Sequence, residues 1–404
     1  MARTGDPTRT GLGVSLGAVA AGSMVANICT YAIHLTATRW WLDTAEYGEL
    51  AVGLSAMLVL GVVAMAVQAV VARSVVRHAD PARIARVTWQ ATAFVIGLAV
   101  LGAPFAAWVT SMGVGTALAA LSGAVPLVLV GAGQGVLQGR SAFRLLAWVL
   151  AAVGVLRTVP VIGVLAAGAG PVGALVAGAA GTVAAAAMVG WAVRMSGPAN
   201  PTEWPYSTDR LSALDVLGAS GVQLVLIVAA SIDLLLSRTA LSAGDAGVYA
   251  LGAIATKVAF WLPQAIGVVV YPQLSDPALS ANAFRRAVGV VVGLGVVLTG
   301  LAGLAGPMIP ILIGDDYRTL VPILWVFAWT GSALAVLQVA LLAAIARDRP
   351  RIALATWAVI SVEVLVIVTC AHSVVALAGV AAVSATVAAA GTCWYCMSGP
   401  VIRR

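Results

Sequence analysis

Charge is scarce in this chain. Asp, Glu, Lys and Arg make up 9% of its 404 residues and hydrophobic residues 61%, where a soluble domain carries about 25% charged residues. That balance excludes water as the main solvent of the folded surface. Lysine is nearly missing: of 22 basic residues every one but Lys257 is arginine. The four cysteines all fall inside apolar runs. Cys393 and Cys396 form a CxxC in "GTCWYCMSG", but no second Cys/His pair accompanies it, so they read as small buried residues near a helix end. No metal site and no cofactor are expected. No HExxH, nucleophile elbow or Walker A occurs, and no loop is long enough to hold an acidic enzyme site. An enzyme and a self-sufficient ATP-driven pump are therefore not expected. The glycine-rich "GAGQGVLQG" from Gly131 lacks the GxGxxG order and follows no strand. Close helix packing through small residues explains it.

What is present is a series of long apolar runs. A transmembrane helix needs about 20 such residues, and the runs predict helices over 12–37, 47–72, 84–109, 113–137, 144–168 and 171–194. A second set follows over 213–239, 246–271, 283–304, 319–345, 351–371 and 374–398. The polar stretch "SGPANPTEWPYSTDRLS" separates the sets. The expected organisation is an all-α integral membrane protein: an N-terminal six-helix lobe (1–195), a cytoplasmic linker (196–212) and a C-terminal six-helix lobe (213–404). The first run follows Arg3 and Arg9 as a signal peptide would, but eleven more follow it, so it reads as a retained span. With the N-terminus inside, seventeen basic residues lie at inner ends and loops, and only Arg39, Arg238 and Arg318 lie outside. This bias puts both termini in the cytoplasm. The net charge of +7 is then a topology signal, and no nucleic-acid partner is expected.

The two halves repeat. "RWWLDTAEYGELAVG" from Arg39 aligns without gaps on "RTALSAGDAGVYALG" from Arg238, pairing Glu46 with Asp245, Gly48 with Gly247 and Gly53 with Gly252. Arg140 and Arg144 echo in Arg347 and Arg351. Six helices per half give both halves one orientation. Such parallel repeats are related by an axis along the membrane normal, with substrate bound where they meet.

Five charged or titratable residues lie within the predicted spans: His34, Arg157, Asp233, Lys257 and Glu363. A charge near the bilayer centre costs about 2.5–3.5 kcal/mol on insertion scales, so each is expected to face protein or water. His34 and Asp233 share the first repeat offset, and Arg157 and Glu363 nearly share the second. Asn27, Tyr31, His34 and Thr38 follow one helix face, as do Gln223, Asp233 and Ser237, and again Lys257, Trp261 and Gln264. Pro263 is expected to kink the eighth helix. These stripes suit a central cavity. Lys257 and Asp233 can also be read as an ion pair across a hairpin, and Arg157 and Glu363 either as partners or as separate cavity groups.

"LTATRWWLDTAEYGELAVGL" resembles the first hairpin of bacterial polysaccharide flippases, and "IDLLLSRTALSAGDAGVYALGAIATKVAFWLPQAIGVVVYPQLSD" resembles their seventh and eighth helices. "LQGRSAFRLL" is similar to their turn between helices four and five. These flippases belong to the multidrug/oligosaccharidyl-lipid/polysaccharide (MOP) exporter superfamily. The resemblance implies a two-lobe bundle alternating between inward-open and outward-open states in the bacterial cytoplasmic membrane. It implies a polyprenyl-diphosphate-linked glycan as substrate, with glycosyltransferases and a polysaccharide polymerase as partners. Lys257 and Arg157 become the candidate cations for the diphosphate and Arg39 an outer-mouth contact. Twelve helices and few cavity cations depart from the lipid II flippases of the superfamily. Two rival readings are a cation-coupled drug exporter using Asp233 and Glu363, and a non-transporting scaffold for glycan assembly.

Overall fold

A computed structural model of the chain describes residues 7–197, 221, 223–262, 280–346 and 352–398. The described residues are helical and include no β-sheet. In chain order the helices are α1 (Pro7–Thr36), α2 (Thr44–Leu60), α3 (Val62–Val76), α4 (Pro81–Thr110), α5 (Val114–Ser122), α6 (Ala124–Gly139), α7 (Phe143–Ala166) and α8 (Pro171–Met195). After them come α9 (Ile232–Ala240), α10 (Ala243–Trp261), α11 (Ser280–Ala305), α12 (Leu324–Ala346), α13 (Ile352–Cys370) and α14 (Val374–Ser398). Eleven helical stretches among the described residues are long and apolar enough to cross a membrane. Of the remaining expected span, 246–271, α10 is the described part; residues 263–271, with Pro263 and Gln264, lie outside the described residues, as does most of the 196–212 segment.

Three expected spans are broken, which hydropathy did not foresee. Gly61 separates α2 from α3, Gly123 separates α5 from α6, and Ala230–Ser231 interrupt the stretch Gln223–Ala240. The first two breaks meet: a Cβ at Gly123 would lie 2.7 Å from Met57 Sδ, and one at Gly61 would lie 3.6 Å from Leu127 Cδ1. The first span also ends in a π-helical turn, Ala37–Trp41, at Arg39. Within the helices, hydroxyls such as those of Thr30, Thr38, Thr92, Thr182 and Thr330 donate to a carbonyl one turn back. This local bond lets a polar side chain sit in hydrocarbon without an orphaned donor.

The described residues form two compact units. One holds the residues before Leu42, Ala56–Trp108 and those from Met112 onward in the first half; the other holds Leu42–Ser55, Val109–Ser111 and the second half. Inside each unit the helices pair in the same order. In the first, α1 packs on α7, α3 on α6, and α6, α7 and α8 on one another; in the second, α9 packs on α13, α10 on α12, and α12, α13 and α14 on one another. These pairs match across the repeat, whereas the extensive packing of α11 on α12 in the second unit has no counterpart of that extent between α4 and α5 or α6 in the first.

Small residues set the close crossings of the first unit. Gly131, Gly135 and Gly139, one turn apart on α6, would each drive a Cβ to within 2.7 Å of the backbone oxygens of Ala64, Gln68 and Ala72 on α3. The "GAGQGVLQG" run is therefore a packing ridge, as expected from its spacing. Gly22 and Gly154 bring α1 and α7 together in the same way, against Ala147 and Ala26.

Candidate functional site

The polar residues of the second unit converge. Asp233 sits on α9 just after the break at Ala230–Ser231, and its carboxylate is 4% exposed. Tyr249 of α10, fully buried, donates its hydroxyl to Asp233 Oδ2 at 2.5 Å. Two turns further along α10, Lys257 is partly buried and its ammonium donates to Ser55 Oγ of α2 at 2.8 Å. Glu363 of α13 is buried as deeply as Asp233. Asp233 is close enough for its charge to act on both Lys257 and Glu363. One ammonium and two carboxylates therefore share a low-dielectric region drawn from four helices. Ion–ion and ion–hydroxyl contacts are much stronger there than in water.

The start of α2 belongs to this unit for reasons visible in the residues. Asp43 and Glu46 form a reciprocal capping box: Glu46 N–H donates to Asp43 Oδ1 at 2.8 Å and Asp43 N–H to Glu46 Oε2 at 3.3 Å. Their repeat mates Ser242 and Asp245 cap α10: Asp245 N–H donates to Ser242 Oγ at 3.1 Å and Ser242 Oγ–H to Asp245 Oδ2 at 2.8 Å. Each box satisfies orphan donors at a helix start. The next repeat pair touches directly, since a Cβ on Gly48 would lie 2.9 Å from Gly247 N. Arg238 Nη1 donates to the Ala45 carbonyl at 3.1 Å. Two helices related by the internal repeat thus start from equivalent caps and cross at equivalent glycines. Tyr317, near this end of α10, is buried. Burial, with Asp316 and Asp43 nearby, pushes its phenol well above the ordinary range.

The other expected site residues fall as follows. Gln223 is partly buried in the second unit, and Gln264 lies outside the described residues. In the first unit His34 is buried on α1, while Asn27, two turns earlier, is exposed, and Arg39 is exposed on the π-helical turn. Arg157 is partly buried on α7, its backbone set close against α8 through Gly181. The structure therefore brings Asp233, Lys257 and Glu363 together. Two members of that cluster, Ser55 and Tyr249, were not among the expected site residues. Ser55 had a signal: it lies seven residues from Gly48, on the same helix face as the crossing glycine.

No protein-family model matches the sequence, and no curated protein matches it. Solved structures do resemble the fold. An inward-facing multidrug-resistance MATE-family transporter of the MOP superfamily superimposes with a TM-score of 0.67 at 13% identity, over 93% of each chain. The lipid II flippase MurJ, in an inward closed conformation, gives 0.67 at 10% identity over 96% of this chain and 88% of MurJ. A MOP-superfamily transporter from Pyrococcus furiosus gives 0.54 at 13% identity over 95% and 94%. The chain is a multi-pass membrane protein with the all-helical fold of MOP-superfamily transporters.

Proposed function

We propose that the protein is a flippase that carries a polyprenyl-diphosphate-linked oligosaccharide across the bacterial cytoplasmic membrane by alternating access, for cell-surface polysaccharide biosynthesis. The observation that carries this reading is Lys257: a partly buried ammonium whose hydrogen-bond partner, Ser55, is a neutral hydroxyl. A charge held by a hydroxyl keeps most of its attraction for an anion. A diphosphate crossing the bilayer needs a cation to offset its desolvation. Arg157 supplies a second cation, Arg39 an outer contact, and Asn27, His34, Gln223 and Gln264 polar groups for sugar hydroxyls. Asp233 and Glu363 balance the charge of the empty site. The glycan-building enzymes on the cytoplasmic face are the natural partners, and both termini lie on that side.

The test is transport of defined polyprenyl-diphosphate-linked sugars in proteoliposomes. Lys257→Ala should abolish flipping in a folded protein, and Lys257→Arg should keep part of it, since the charge survives while the geometry changes. Combining Lys257→Ala with Asp233→Ala should restore stability without restoring transport. Full transport by the double variant would overturn the reading. A second reading, cation-coupled drug export, draws on a specific observation: the buried Ser231 hydroxyl at the helix break, two residues before buried Asp233, has no partner among the described residues. Efflux of a cationic dye driven by a sodium or proton gradient, and lost in Glu363→Gln, would favour that reading.

A further inference from the structure

Three contacts hold the first half of α2 to the second unit, and they lie on one helix face. Ala45 takes the Arg238 guanidinium, Gly48 meets Gly247 backbone to backbone, and Ser55 takes the Lys257 ammonium. Spacings of three and seven residues keep all three within one side of a helix. Measured from the glycine crossing, Ser55 is about 10 Å along α2 and Lys257 about 15 Å along α10, at 1.5 Å per residue. A helical side chain leans toward its N-terminus, so the long lysine stem reaches back over that difference. The glycines let the backbones touch at one level, and the lysine bridges them at the other. Ser55 itself is fully buried. A buried hydroxyl bonded to a partly buried ammonium is a partner that an incoming anion must either share or replace.

We propose that Ser55 is the exchangeable partner of Lys257: it positions the ammonium in the empty protein and gives it up to the anionic end of the substrate. This rests on the proposed anion-binding role of Lys257 and extends it to a residue with no charge of its own. A charged acceptor outcompetes a neutral one, because hydrogen bonds to ionised groups are shorter and roughly twice as strong. Capture of the anion then unties one of the three contacts, the Lys257–Ser55 bond between α10 and α2, and leaves those of Arg238 with Ala45 and of Gly247 with Gly48. Ser55 thereby links occupancy of the site to how firmly α2 is held.

The exchange has a signature that static positioning lacks. If the anion displaces Ser55, deleting the hydroxyl removes a competitor and binding tightens; if Ser55 only orients Lys257, deleting it weakens binding. The probe is inorganic pyrophosphate, titrated calorimetrically into the full-length protein in nanodiscs. Ser55→Ala should bind about tenfold tighter than wild type, Ser55→Thr should bind like wild type, and Lys257→Ala should not bind. Because Lys257 is the only lysine, labelling lysine with ¹⁵N at Nζ gives one side-chain signal to follow. That signal should differ between wild type and Ser55→Ala in the free proteins and coincide once pyrophosphate is bound. Unchanged or weaker binding by Ser55→Ala, or bound signals that stay apart, overturns the exchange while leaving the anion site intact. Wild-type-like binding by Lys257→Ala overturns the anion site itself. Should Ser55→Ala not fold, Ser55→Cys, whose thiol is a weaker acceptor, gives the same comparison: its free signal must differ from wild type's and its bound signal coincide with it, and bound signals that stay apart overturn the exchange.

Discussion

Gly247→Ala should be far more damaging than Gly48→Ala, although the two glycines are repeat mates in one crossing. A Cβ on Gly247 would stand 1.6 Å from the Thr44 carbonyl oxygen and 2.5 Å from its carbon. Carbon and carbonyl oxygen approach to about 3.3 Å in close packing, so the start of α2 would have to retreat by about 1.7 Å. The obstacle is capped helical backbone, which cannot swing aside as a side chain can. The same retreat would stretch the Lys257–Ser55 bond from 2.8 Å and the Arg238–Ala45 bond from 3.1 Å, past the limit of about 3.2 Å for a good hydrogen bond. A Cβ on Gly48 would stand 2.9 Å from Gly247 N and 3.1 Å from its Cα, a shortfall of tenths of an ångström. Overpacking costs about 1–3 kcal/mol, occasionally more, against a gain of about 1 kcal/mol in helix propensity for glycine to alanine. Gly247→Ala should therefore lose at least about 2 kcal/mol once the broken bonds are included, and Gly48→Ala should stay within about 1 kcal/mol of wild type. Chemical denaturation of the purified protein in detergent measures both. A Gly247→Ala protein as stable as wild type, or a Gly48→Ala protein less stable than Gly247→Ala, would refute the crossing.

Further outcomes follow from other contacts. Gly135→Ala would place a Cβ 2.5 Å from the Gln68 carbonyl oxygen and should destabilise the first unit by about 1–3 kcal/mol, read as a lower denaturation midpoint. Tyr249→Phe removes the donor to Asp233 and should cost about 1–3 kcal/mol, with Asp233→Asn in the same chain recovering part of it. Tyr317, kept neutral by burial and by the Asp316 and Asp43 carboxylates, has a folded pKa above its unfolded one. Its contribution is present below the ordinary phenol range and lost as pH rises through the folded value; Tyr317→Phe should therefore lessen the alkaline fall in unfolding temperature. Cysteines at exposed Arg77 and Asp315 should react with an impermeant reagent from opposite sides, Arg77 only from the cytoplasm; equal labelling of both in intact cells would reverse the orientation argument.

Much of the fold was legible because hydropathy responds to the bilayer directly. Eleven of the twelve expected spans coincide with membrane-length helices, and α10 is the described part of the other. The breaks at Gly61, Gly123 and Ala230–Ser231 were not legible. Each sits inside an apolar run, where a window average cannot distinguish a continuous helix from two short ones. The repeat alignment foretold that Gly48 and Gly247 were equivalent, but not that they would touch. Equivalence is a property of sequence, and contact depends on how closely two backbones can approach. Asp233, Lys257 and Glu363 stood out because a charge in hydrocarbon is costly enough to demand a reason. Ser55 did not, because a serine hydroxyl in a span can satisfy itself on its own helix and so carries no comparable demand; Tyr249 did not, because a tyrosine in an apolar run reads as a packing ring with a polar tip.

That asymmetry bears on why a chain otherwise committed to arginine keeps one lysine. Guanidinium is planar and always charged, and it grips anions two-handed; an ammonium is a point charge on a flexible stem that can turn its donors from one acceptor to another. The bridge from α10 to Ser55 needs reach, which both side chains have. Exchange between a hydroxyl and an anion needs a head group whose bonds are not locked in a fork, which only lysine has. Arg238, a few residues before α10, makes a different contact: its guanidinium donates to a backbone carbonyl, that of Ala45. The contact to a backbone carbonyl uses arginine and the one proposed to exchange uses lysine, so the single lysine stands where the proposed exchange would change the bonding between α10 and α2.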